Sequence, residues 1–161
     1  MTPGLLADIE PNSCNCAALR KASRRMSQFY DAALAPCGLK STQFAMLAEI
    51  ERRAEAPPTI RDLADRLVMD QSTIGQNLRP LEREGLIALV TDETDRRSRR
   101  VKLTRTGRAR LAEALPLWRS AQQHFESGFG KRAAADLRTV LGDIARDQTL
   151  VGESEPQHPR A

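Results

Sequence analysis

The stretch from Thr59 to Thr104 constrains the chain most, because its apolar spacing changes period partway along. Ile60, Leu63, Ala64 and Leu67 fall at i, i+3, i+4 and i+7, which makes one apolar stripe on a short helix. Thr59 is placed to cap it, and Asp62 stands where a capping-box acid would. Val68-Met69 reads as a turn, with Asp70 as N-cap of a second helix. In that helix Ile74, Leu78 and Leu81 point inward. At about 100° per residue the opposite face carries Ser72, Gln76, Arg79 and Arg83, with Thr73 and Asn77 on the flank. Gly85 closes it. Period two then takes over: Leu86–Val90 is rich in strand formers, and Arg99–Thr104 alternates basic and apolar residues. The expectation is helix, turn, helix and a two-stranded ribbon whose tip is the polar run Thr91–Ser98.

Charge gives that arrangement a purpose. From Thr91 to Arg110 there are eight Lys/Arg against three Asp/Glu, so the chain's net +4 is concentrated in this window. The second helix offers short amides and hydroxyls near its start and cations further on, as reading base edges and gripping phosphates requires. A narrow basic loop beside it suits a minor groove, where the potential is most negative. A polar face on one helix is equally expected of any solvated helix; the basic ribbon tips the balance toward duplex DNA. Aromatics at 4% argue against a base-stacking single-strand binder.

The segment LEREGLIALVTDETDRRSRRVKLTRTG resembles the wing of the MarR family of bacterial transcription regulators. The likeness rests on LEREGL at the helix end, on Asp95-Arg96-Arg97, and on Val-x-Leu-Thr-x-x-Gly at Val101–Gly107. GLKSTQFAML, at Gly38–Leu47, resembles the family's second helix, and the whole covers roughly residues 15 to 148. The resemblance implies that Arg97 enters the minor groove with Asp95 bracing it, and that Ser72, Thr73 and Gln76 face the major groove. Arg96, Arg99, Asn77, Arg79 and Arg83 complete the expected DNA-binding set. Two departures are Gly75 and Pro80 inside the reading helix. Pro80 removes a hydrogen bond and crowds the Gln76 carbonyl, at ~3 kcal/mol in an undistorted helix, so a bend or a helix restarted at Pro80 is expected.

Outside this core, residues 1–13 read as a mobile arm and 153–161 as a tail. Residues 14–152 read as one unit. In it, residues 41–103 form the winged helix-turn-helix lobe, and 14–40 and 104–149 form dimerisation helices. Cys16–Leu34 should be a helix with Leu19, Ala22, Met26, Phe29 and Ala33 as its stripe and Arg20, Lys21, Arg24 and Arg25 on a solvated side. Ser41 should cap the next helix. Thr104 should cap a long one kinked at Pro116. Gly128 and Gly130 mark a break before a last helix with Leu137, Val140, Leu141 and Ile144 apolar. The terminal stripes exceed what a small winged helix needs. They point to self-association, and the resemblance implies a two-fold homodimer; a monomeric helical bundle is the alternative.

The expected fold class is therefore mainly α with a small β-wing: a winged helix-turn-helix plus N- and C-terminal dimerisation helices. No apolar run approaches the ~20 residues of a membrane span, and the N-terminus lacks a basic region followed by an apolar block. The expected location is the bacterial cytoplasm, on the nucleoid when bound. No cofactor is called for. Cys14, Cys16 and Cys37 are too few and too oddly spaced for a disulfide framework or a structural zinc site. Redox sensing is a sharper reading. Within the family, the organic-hydroperoxide regulators carry a reactive cysteine in a Cys-x-x-Leu context, which Cys16–Leu19 is similar to, with Tyr30 further along. Arg20 stands where those regulators usually have a second tyrosine. An ordinary small residue at a packed helix start is the competing and plainer reading of Cys16. The family's other mode implies a small aromatic or phenolic effector lined by Phe29, Tyr30, Phe44 and Trp118, residues that a plain core would also use. No phosphate-binding glycine loop, helical metal-ligand pair or nucleophile–base constellation is present, so an enzyme is not expected. The competing function is a winged-helix module that binds protein or RNA.

Overall fold

The computed structural model describes residue 10 and residues 13–92 and 98–150. Most of the expected arm, the tail, and the wing-tip residues Asp95, Arg96 and Arg97 lie outside these. Helix α1 (Asn15–Leu34) leads through a 3-10 turn (Ala35–Cys37) into α2 (Ser41–Glu51), α3 (Ile60–Leu67) and α4 (Gln71–Arg83). Strands β1 (Ile87–Thr91) and β2 (Arg99–Leu103) pair antiparallel with Ile87 opposite Leu103 and Thr91 opposite Arg99. Helix α5 (Arg105–Phe129) and α6 (Lys131–Arg146) complete the chain, before a last 3-10 turn at Gln148–Leu150. The chain divides into two compact units, residues 1–121 and 122–161.

In the first unit the core gathers Leu34, Leu39, Met46, Leu47, Ile50, Leu63, Ile74, Leu78, Leu81, Leu86 and Val101, each at most 2% exposed. The stripes predicted for α3 and α4 supply much of it. At ~1.5–3 kcal/mol per fully buried aliphatic side chain, this core sets the angle at which α3 presents α4. Leu111 and Ala114 of α5 join the same cluster.

Caps decide where the helices begin. Thr59 and Asp62 form the reciprocal box: Thr59 N–H donates to Asp62 Oδ2 at 2.8 Å, and Asp62 N–H to Thr59 Oγ1 at 3.1 Å. Asp70 occupies the N-cap position of α4, but its side chain makes no capping bond. Ser41 is not the cap of α2 but its first residue. Its N–H donates to Asp31 Oδ1 of α1 at 2.7 Å, while Gln43 Oε1 accepts from Lys40 N–H at 2.8 Å. A partner ten residues upstream thus does what the serine was expected to do. Thr104 caps α5 as expected, accepting from Gly107 N–H at 2.9 Å. Its hydroxyl donates to Gly85 O at 2.6 Å and so ties α5 to the end of α4.

Pro80 does not restart α4, which runs as one helix through it. Leu78 and Leu81, buried on either side, hold the turn against the loss of one hydrogen bond. Helix α5 likewise continues through Pro116, and the break falls at Gly130. Helix α4 ends in a Schellman motif: Leu86 N–H reaches Leu81 O at 2.8 Å, Gly85 N–H reaches Glu82 O at 2.9 Å, and Gly85 has φ 69°. In the second unit Arg138 pairs with Glu126 at 3.1 Å and Phe125 stacks on Phe129. Leu137, Val140, Leu141 and Ile144 are 37–55% exposed.

Candidate nucleic-acid interface

Burial sorts the residues of α4 cleanly. Ile74, Leu78 and Leu81 are at most 2% exposed, and Ser72, Gln76, Arg79 and Arg83 are exposed along the opposite face. The first turns of that face present a hydroxyl and an amide. The last turns present two guanidinium groups. Thr73 and Asn77 lie half-buried on the flank, and Asn77 Nδ2 donates to Thr73 O at 3.0 Å. Asn77 therefore spends one amide donor on its own helix and keeps its carbonyl oxygen. Arg99 is exposed at the end of β2 nearest the wing tip.

Neighbouring elements hold this face in place. Glu49 of α2 accepts from Arg66 of α3 at 3.3 Å and also pairs with Arg52 and Arg53. Arg108 of α5 reaches Glu51 of α2 at 3.2 Å. The loop before α3 runs alongside β2: Val101 N–H donates to Pro58 O at 2.8 Å, and Thr59 bridges Arg100.

Two residues the sequence did not single out sit at the foot of the wing. Asp92, read as part of a polar turn, is 4% exposed, and Arg100 Nε pairs with its carboxylate at 2.5 Å. The second arm of that guanidinium donates to Pro57 O at 2.7 Å. The hairpin register held the signal. Val90 faces Arg100, so Asp92, two residues on, is Arg100's diagonal neighbour and within reach of a long side chain.

An open cleft of about 340 Å³ lies elsewhere in the first unit. Tyr30, Phe44 and Trp118 are on its wall with Leu34, Leu67, Ser41, Glu49 and Arg52. Phe44 and Trp118 stack with centroids 5.8 Å apart. Phe29 is not on the wall; it packs edge-on against Tyr30 at 5.2 Å. The cysteines separate. Cys37 is buried, with its thiol donating to Leu34 O at 3.0 Å, whereas Cys14 and Cys16 are exposed. Cys14 is the N-cap of α1, its Sγ accepting from Ala17 N–H at 3.5 Å. Among the described residues no group of three or more His, Cys, Asp or Glu is arranged to hold a metal ion, and no helix is long and apolar enough to cross a membrane.

Known proteins share this architecture and its sequence. Residues 38–98 match the model of the MarR family. The regulator MosR of M. tuberculosis, solved in complex with DNA, is 34% identical. The alignment covers 84% of this chain and 100% of MosR with a TM-score of 0.71. The HTH-type transcriptional regulator PecS of Dickeya dadantii is 26% identical over 86% of this chain and 84% of its own. The transcriptional activatory protein BadR of Rhodopseudomonas palustris is 38% identical over 72 residues, 44% of this chain and 41% of BadR. A helix-turn-helix core with a paired wing, matched by the whole of MosR over 84% of this chain, places the chain in the MarR family of transcription regulators.

Proposed function

We propose that this chain is a sequence-specific duplex-DNA-binding regulator. It acts as a homodimeric repressor on a pseudo-palindromic operator and is released by a small aromatic or phenolic ligand or by cysteine oxidation. The observation that carries the reading is the division of α4. Its apolar residues are all inside, and its outside runs from Ser72 and Gln76 to Arg79 and Arg83 beside a basic ribbon. The DNA complex of MosR, a relative at 34% identity, supports it. The test is selection of binding sites from a random duplex library with wild type and Gln76→Ala. Wild type enriches a palindromic site at least ~10³-fold over random duplex. Gln76→Ala loses ~1–3 kcal/mol of base discrimination at one position per half-site. An unchanged site preference in Gln76→Ala contradicts the placement of the reading face.

Dimerisation is supported by apolar residues left outside. Leu19 of α1 is 39% exposed, and four aliphatic residues of α6 are exposed at i, i+3, i+4 and i+7 from Leu137. The effector reading is supported by the cleft, whose aromatic walls and polar Ser41, Glu49 and Arg52 suit a ring with a polar substituent. The oxidation reading is supported by the exposure of Cys14 and Cys16. A peroxide would oxidise the Cys16 thiolate to a sulfenic acid, and a second thiol would displace water from it to give a disulfide. Peroxide-treated wild type then loses DNA affinity and Cys16→Ser keeps it; equal responses remove Cys16 as the sensor.

A further inference from the structure

We infer that Arg100 is the positioning residue that locks the wing to the helix-turn-helix, so that ribbon and reading helix meet a duplex in one fixed register. The inference rests on the DNA-binding reading above.

A two-stranded ribbon has little stability of its own in water, so its direction is set by what grips its foot. Arg100 makes that grip in two directions. Nε pairs with Asp92 at the wing's first corner, and Nη1 donates to Pro57 O in the loop that leads into α3. Thr59, the bridge partner of Arg100, is also the N-cap of α3. The side chain therefore ties the wing to Pro57, and the backbone bridge beside it ties the same strand to Thr59, which starts the helix-turn-helix. A guanidinium suits this task because its donors form a rigid fork. A lysine offers a single ammonium that cannot span both acceptors in plane. Asp92, at 4% exposure, gains from the cation, since burying a carboxylate is costly unless it is paired. Arg99 and Lys102 are exposed, while Arg100 is half-buried with its side chain 35% exposed. Arg100 thus serves recognition through geometry, and Arg99 is left to meet phosphate.

The test uses the full chain with Arg100→Met, Arg100→Lys, Arg99→Ala and the double variant Arg99→Ala/Arg100→Met. Without DNA, Arg100→Met speeds amide hydrogen exchange in residues 98–103 and leaves α4 at the wild-type rate. Unchanged exchange at 98–103 overturns the lock. With the selected operator, Arg100→Met lowers affinity by ~10-fold while the base preference set by α4 persists, and Arg100→Lys restores only part of the loss. Arg99→Ala weakens binding in the wild-type background and has little further effect once Arg100 is lost, because a wing off register no longer brings Arg99 to the backbone. Additive losses, full rescue by lysine and a salt slope lowered by ~0.9 would show a direct phosphate contact and overturn the positioning role. Should Arg100→Met fail to fold, Asp92→Asn keeps the hydrogen-bonding shape, and the same exchange and coupling measurements apply to it. Failure of wild type to bind any duplex overturns the DNA-binding reading itself; wild-type binding with additive losses overturns the role of Arg100 alone.

Discussion

Val68 is held at φ 51°, the left-handed region, in the position after α3 where glycine is usual. Met69 N–H closes the motif on Ala64 O at 2.9 Å, so the turn is formed despite the β-branched side chain. That conformation costs ~1–2 kcal/mol for an L-residue, and Val68, 66% exposed, recovers little by burial. Val68→Gly should stabilise the chain by ~0.5–1 kcal/mol after the glycine's unfolded-state entropy is subtracted, read as a higher urea midpoint. Gly107 is the opposite case. A Cβ there would stand 1.9 Å from Leu86 O, backbone held by the bonds it accepts from Thr104 N–H and Oγ1. Gly107→Ala should cost ~3 kcal/mol or more, seen as a large drop in the same midpoint. Asp31 gives a pH dependence. Its bond from Ser41 N–H, aided by Lys40, holds its carboxyl below the ordinary 3.8. A depressed folded pKa adds stability that is present above 3.8 and lost as pH falls through the lower folded value. Wild type should therefore exceed Asp31→Asn at pH 5, and the two should converge in urea titrations below the folded value.

The elements were legible to different depths, for physical reasons. Helices α3 and α4 showed in the sequence because Ile60, Leu63, Leu67, Ile74, Leu78 and Leu81 keep helical spacing and all face the core or pack against it. The ribbon showed because Val101 and Leu103 alternate with cations. Long-range partners were not legible. Nothing local in Ser41 announces that Asp31 will take its N–H, and nothing in a run of turn residues marks Asp92 for burial. Pro80 does not restart the helix; a local rule prices the lost hydrogen bond without seeing the buried leucines around it. The same weighing predicts that Pro80→Ala returns a donor to Gln76 O and stabilises α4 by up to ~3 kcal/mol. Base preference should be unchanged by anisotropy, since Ser72 and Gln76 precede the site. Of the candidate contacts, the α4 face could be read from periodicity. The tie of Arg100 to Pro57, 43 residues upstream, could not.

At the scale of the whole molecule, the exposed aliphatic row of α6, and separately Leu19 of α1, are apolar surface that the proposed homodimer would cover. Light scattering after size exclusion should give about twice 17.9 kDa at micromolar concentration, and Ile144→Asp should move the population toward monomer. A wild-type mass near 17.9 kDa contradicts the dimer. A dimer sets its half-sites about one helical turn, ~34–36 Å, apart or a multiple of it. The central claim is that an exposed polar-to-basic helix face and a basic ribbon read duplex DNA. The most direct measurement is fluorescence anisotropy of reduced wild type against the chain's own upstream DNA and a random duplex across a salt series. The account predicts a log–log slope of ~0.9 per phosphate neutralised on both duplexes, with the upstream site bound at least ~10³-fold more tightly. Equal, salt-insensitive affinity for the two duplexes, or no binding to either, would contradict it and favour a protein-interaction module.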